Sequence, residues 1–163
     1  MYKAQAKEVK NWLKAYRAIG EQIDEKIDRL RMMRERMMSV SAQKLTDMPK
    51  GGGSGDPMAD YVIRVENLEL SIKHDVEIQE QCRKVIFDLT QELSKPEERR
   101  IIELRYLQGL EWSDVMNMLY RGDDKYAQKL DTYRRRMYRV HEEALEKMAK
   151  RWSKNGQKGL VSS

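Results

Sequence analysis

Between Lys3 and Ser41 the chain has no proline and a single glycine, while Val9, Trp12, Tyr16, Ile19, Ile23, Ile27, Leu30, Met33, Met37 and Val40 follow one another at steps of three or four. That spacing predicts one long amphipathic helix. Nearly forty residues at 1.5 Å each would run for roughly 55 Å, too far for a small domain to cover unless a second helix lies alongside. Gly20 interrupts the pattern and marks a bend or a close approach, because glycine inside a helix costs up to about 1 kcal/mol relative to alanine.

The partner helix is legible further on. Residues 43 to 57, QKLTDMPKGGGSGDP, break the first helix with Pro49 and a run of glycines. Asp56-Pro57 then looks like a cap followed by a first-turn proline. A second stripe follows from Tyr61 through Val65, Leu68, Ile72, Val76, Gln79, Cys82, Ile86, Leu89 and Leu93. Two helices of nearly equal length predict a long antiparallel, coiled-coil-like hairpin over residues 1–94, with its loop at 42–57, serving as an oligomerisation or partner-binding arm. Polar Gln79, near His74 and Asp75, either fixes register or marks where the helices diverge.

Ser94-Lys95-Pro96 predicts a corner, since the residue before proline disfavours helix. Pro96 suits a first helical turn, and Glu97 and Glu98 place negative charge at its positive end. Ile101, Leu104 and Leu107 share a face, with Ile102 and Tyr106 beside them, until Gln108-Gly109 offers a left-handed stop. Trp112, Val115, Met116 and Leu119 form a second short apolar face. Leu130, Tyr133, Met137, Val140, Ala144 and Met148 line a third, longer helix. Opposite that stripe fall Gln128, Asp131, Thr132, Arg135, Arg139 and Glu142, flanked by Arg134, Arg136 and Tyr138. An apolar back with long cationic donors in front is what a helix needs to enter a DNA major groove. Residues 95–151 therefore read as a helix-turn-helix unit, and 152–163 as a tail that frays apart from Trp152.

Charge placement agrees. The net charge is +5, and between Tyr120 and His141 seven basic residues stand against three acidic ones, a local surplus of +4. Arg135 and Arg139, furthest from the apolar stripe, are expected at base edges. Arg121, Lys125, Lys129, Arg134, Arg136 and Tyr138 suit phosphates, and Gln128 and Thr132 complete the outward row. His141 and Trp112 are expected to pack, as is Cys82. With 36% charged and 7% aromatic residues, the composition predicts long solvated helices rather than a thick core. One cysteine excludes an intrachain disulfide, and with two distant histidines it makes no structural zinc site. No nucleophile set, phosphate loop or same-face carboxylate pair points to an enzyme, and no cofactor is implied. The absence of a leader-like or membrane-length apolar run predicts a cytoplasmic protein.

Two segments carry a resemblance. IIELRYLQGLEWSDV, residues 101–115, resembles sigma-factor region 4, and MYRVHEEALEKM, residues 137–148, is similar to the end of small phage transcription regulators of the ArpU or RinA kind. Thr46-Asp47-Met48-Pro49 resembles the connection in the same phage proteins. The resemblance implies an all-α homodimer in the cytoplasm of a bacterial host, binding double-stranded DNA in a phage promoter region and activating late genes. Alternatives are a sigma-like adaptor on host RNA polymerase and a small terminase-like packaging protein. The chain departs from the pattern at Glu111, where Thr or Ser caps the helix, and at Met116, where alanine is usual. In place of a short turn it has the segment beginning Tyr120-Arg121-Gly122-Asp123-Asp124-Lys125, which either lengthens the third helix or forms a wing-like loop.

Overall fold

The computed structural model describes residues 2–44 and 56–155, which form five α-helices and no strand. They are α1 (Tyr2–Lys44), α2 (Pro57–Gln91), α3 (Pro96–Ile102), α4 (Trp112–Tyr120) and α5 (Leu130–Asn155). A π-helical turn, Glu103–Leu107, continues α3, and a 3-10 turn, Tyr126–Gln128, precedes α5. The glycine-rich connection at 45–55 and the end of the tail at 156–163 lie outside the described residues.

The helix starts follow the local chemistry. The Met58 N–H donates to Asp56 Oδ1 at 3.0 Å, so Asp56 caps α2 one residue before Pro57 enters the helix. Lys95 is extended (φ −88°, ψ 126°) and Pro96 opens α3. The corner between α2 and α3 is held by Arg99, whose Nη1 donates to the Leu93 carbonyl at 2.5 Å and the Ser94 carbonyl at 3.4 Å. These carbonyls would otherwise be left open at the end of α2.

The chain divides into two compact units whose limits cut both long helices: residues 19–80, and residues 1–18 together with 81–163. Within 19–80, α1 and α2 run side by side in opposite directions. Lys26 Nζ reaches Asp75 at 2.5 Å and Ser71 at 2.8 Å, Arg34 pairs with Glu69, and the Tyr61 hydroxyl donates to the Met33 carbonyl at 3.0 Å. Ile23 and Val65 are buried, but Ile27, Val40 and Val76 remain exposed, because two helices alone cover only a narrow line on each other. Gly20 meets Gln79: a Cβ built on Gly20 would stand 3.2 Å from the Gln79 amide nitrogen. The expected break in the stripe is therefore a close approach, with the small residue facing the polar one.

The other unit holds two cores. In the first, Ile101 and Leu104 of the α3 segment, Val115, Met116 and Tyr120 of α4, and Tyr133, Met137 and Val140 of α5 are buried together. In the second, Ile102 and Tyr106 meet Ala6, Val9, Leu13 and Tyr16 of α1, Ile86, Leu89 and Leu93 of α2, and Ala144, Leu145, Met148 and Ala149 of α5. The π turn, where the Gln108 N–H reaches back to the Glu103 carbonyl at 2.8 Å, adds a residue just where the segment divides its side chains between the cores. Gly109 then takes φ 73° and closes the helix. α5 continues to Asn155, and Trp152 packs edge-on against Trp12 with ring centres 4.7 Å apart, so residues 152–155, expected to belong to the tail, are part of the helix.

Thr90, Glu98 and His141 are buried with these cores, the Thr90 hydroxyl donating to the Ile86 carbonyl at 2.7 Å. Glu98 is fully buried and accepts from Lys147 Nζ at 2.5 Å, while its Oε2 has no hydrogen-bond partner. His141 is 1% exposed, meets the Tyr106 hydroxyl at 2.9 Å through Nε2, and has its pKa pushed down to about 4 by burial. Burial likewise raises the Tyr106 phenol to about 12.

Gly20→Ala gains helix propensity and asks only the mobile end of Gln79 to shift, so it should stabilise the protein by about 0.5 to 1 kcal/mol in urea unfolding; a loss would show that the approach is too tight. For His141 the folded state binds fewer protons than the unfolded one between pH 6.5 and about 4. Its contribution is complete above pH 6.5 and falls as the pH drops through that window, by about 2 to 3 kcal/mol at most. His141→Gln should flatten the fall in unfolding midpoint between pH 7 and 4.5; an unchanged fall would contradict the burial argument.

Candidate nucleic-acid interface

Because Tyr133, Met137 and Val140 are buried against α3 and α4, the opposite line of α5 is left to solvent. Thr132, Arg134, Arg135, Arg136, Tyr138 and Arg139 are all exposed there, as are Arg121, Lys125, Gln128 and Lys129 in the preceding connection. All ten residues expected to contact DNA thus lie on α5 or the segment leading into it, with their side chains at the surface.

Their partners separate them. Arg135 has no ion pair among the described residues, and neither do Arg121, Lys125 or Lys129. Arg139 is 70% exposed and only loosely related to Glu143, at 3.9 Å. Arg134 pairs with Asp131 at 2.7 Å, one turn before it, an exposed contact that is easily exchanged. Arg136 differs. Its Nε and Nη2 both donate to Glu97, each at 2.9 Å, and its guanidinium lies 5.7 Å from the centre of the Tyr120 ring. Tyr120 also donates to Glu97 at 2.5 Å. Burial alone would raise the Glu97 carboxyl, but the bonds from Arg136 and Tyr120 outweigh it and hold the pKa below its usual value. Arg136 therefore ties α5 to α3 and α4 instead of standing free for a phosphate.

Tyr138 and Trp112 form an aromatic edge. Their ring centres are 5.2 Å apart, Trp112 also meets His141 at 4.7 Å, and the Arg105 guanidinium covers the indole at 4.7 Å. Trp112 is half-buried, with its ring already engaged on several sides, which fits packing better than a base platform.

The connection between α4 and α5 neither lengthens α5 nor projects as a two-stranded wing. It is a turn followed by the single 3-10 turn at Tyr126–Gln128, with α5 beginning at Leu130. Tyr126 holds it to both neighbours: its hydroxyl donates to Asn117 Oδ1 at 2.6 Å, and its ring meets Tyr133 at 5.6 Å. The Tyr133 hydroxyl and the Lys125 N–H both hydrogen-bond Asp123, lowering its pKa. Arg121, Lys125 and Lys129 are thereby presented from a braced segment.

Glu111 stands at the start of α4 without a side-chain cap bond. Its carboxylate instead takes Arg17 at 2.6 Å and Arg105 at 3.4 Å, while Arg17 also donates to the Gly109 carbonyl at 3.1 Å. The hydrogen bonds from Arg17 and Arg105 depress its pKa. Glu111 thus joins α1 to the turn before α4, a task that a capping serine could not perform. No local signal in the sequence links Arg17 to Glu111 or Glu97 to Arg136, since each pair is far apart along the chain.

Among the described residues there is no group of three or more His, Cys, Asp or Glu arranged to hold a metal ion, and no helix long and apolar enough to cross a membrane. No family model, no curated protein and no solved structure matches this chain.

Removing the Glu97 charge should loosen the seat of α5. Glu97→Gln is expected to cost about 1 kcal/mol of stability, since the pairing is bidentate but half-exposed. Thermal unfolding would measure it, and an unchanged midpoint would mean that the pairing does not help hold α5.

Proposed function

We propose that the chain is a sequence-specific DNA-binding transcription regulator of a phage or prophage, acting on late genes in the host cytoplasm. In this reading α3, α4 and α5 form a helix-turn-helix with α5 as the recognition helix, and the paired long helices of residues 19–80 form a hairpin arm that joins two copies. The observation that carries the proposal is Arg135, exposed and without an ion pair at the middle of the cationic line of α5. A helix about 10 to 12 Å across fits a major groove about 12 Å wide, and an arginine there reaches the two acceptors of guanine at once.

The reading assigns different work to different residues. Arg135 and Arg139 contact base edges. Arg121, Lys125, Lys129 and Arg134 contact phosphates, Arg134 by exchanging Asp131 for the backbone, while Gln128, Thr132 and Tyr138 border the groove. Arg136 orients the helix through Glu97. The resemblance of residues 101–115 to sigma region 4 and of 137–148 to phage regulators supports the same reading and supplies its biological setting.

A mobility-shift selection from random duplexes tests it. The protein should enrich a defined sequence, with affinity falling steeply as salt rises. Arg135→Ala should then lose about 1 to 3 kcal/mol of discrimination at one position of the site. Failure to enrich any sequence would overturn the proposal.

A further inference from the structure

The first four turns of α1 lie in the unit of residues 1–18 and 81–163, where they share a core with the end of α2 and the second half of α5. Ala6, Val9, Leu13 and Tyr16 face the core, which leaves Lys7 and Lys14 exposed on the opposite side, seven residues and therefore two turns apart. Lys10 stands at the edge between these faces and pairs with Glu142 of α5 at 3.2 Å. Lys7, Lys10, Asn11 and Lys14 of α1, with Glu142 and Glu146 of α5, line a cleft between the two helices.

The placement matters because the outward line of α5 changes sign along its length. Arg135 and Arg139 occupy its first half, and Glu142 and Glu146 continue the same line into the second. Alone, those glutamates would repel a DNA backbone passing beyond the arginines. The lysines of α1 outnumber them, and Lys10 directly neutralises Glu142. Lys7 and Lys14 have no ion pair among the described residues, so their charge remains available.

We infer that Lys7 and Lys14 form a second DNA contact, gripping the phosphate backbone beside the groove entered by α5, while Lys10 screens Glu142. This rests on the DNA-binding reading above and adds to it a role for the start of α1. The ligand is the sugar-phosphate backbone, because flexible ammonium groups two turns apart recognise charge without reading sequence.

The test compares the full-length protein with the Lys7→Ala/Lys14→Ala double variant and with Glu142→Gln, on a selected duplex and on a random-sequence duplex. Each lost phosphate contact lowers the slope of log K against log salt by about 0.9, so the double variant should lose about 2 from its slope on both duplexes. The ratio of its affinities for the two should stay the same. Glu142→Gln, which removes the repelling charge and frees Lys10, should bind both duplexes more tightly and with a steeper slope. Thermal unfolding checks that the variants remain folded. If the parent protein binds DNA while the double variant keeps its slope, the α1 contact is wrong and the reading of α5 stands. If the parent binds neither duplex, both fall.

Discussion

α5 has to satisfy two cores at once, and the rest of the unit formed by residues 1–18 and 81–163 depends on how it does so. Its first half buries Tyr133, Met137 and Val140 against α3 and α4, and its second half buries Ala144, Leu145, Met148 and Ala149 against the start of α1 and the end of α2. Burying side chains of this size contributes roughly 1.5 to 3 kcal/mol each for the larger ones, far more than any single surface ion pair. The helix therefore cannot roll about its axis without opening one core or the other. Its solvent line, from Thr132 through Arg135 to Arg139, is fixed as a consequence of what lies behind it.

Polar groups sharpen that fixation. A buried glutamate on Lys147, a buried neutral histidine on Tyr106, and a bidentate arginine on Glu97 each work only when α3, α4 and α5 keep one arrangement. A slip of α3 would strand Glu98 without Lys147, and an unpaired buried carboxylate is strongly destabilising. Such contacts add little net stability relative to apolar packing, but they penalise alternatives. The arginine line in front is consequently presented by a set of contacts that do not themselves touch the solvent-facing donors, apart from Arg136.

Local chemistry was readable in the sequence. Prolines at 57 and 96, the left-handed Gly109, and the spacing of the apolar stripes depend on neighbours a few residues away, and the helices lie close to where those signals place them. What depends on distant residues was not readable. The stripe of α1 looks continuous from Val9 to Val40, yet its first turns and its remainder belong to different compact units, because periodicity says which face is apolar and not what will cover it. The π turn has no residue signature of its own; it arises where Ile101 and Leu104 must face one core while Ile102 and Tyr106 face the other. Similarly, Arg136 sits among the cationic residues of its helix as though it were equivalent to Arg135, and only the approach of Glu97 distinguishes them. Glu111, which departs from the usual capping residue, makes sense once Arg17 of α1 is seen beside it.

If α5 is the reading element, binding should leave its mark on that helix and on the segment that leads into it. Amide hydrogen exchange of the protein with and without a selected DNA duplex tests this directly. Protection should concentrate in residues 121–139, with the helix pair of 19–80 changing little unless two copies come together. Protection confined to 19–80, with 121–139 exchanging as in the free protein, would contradict the account.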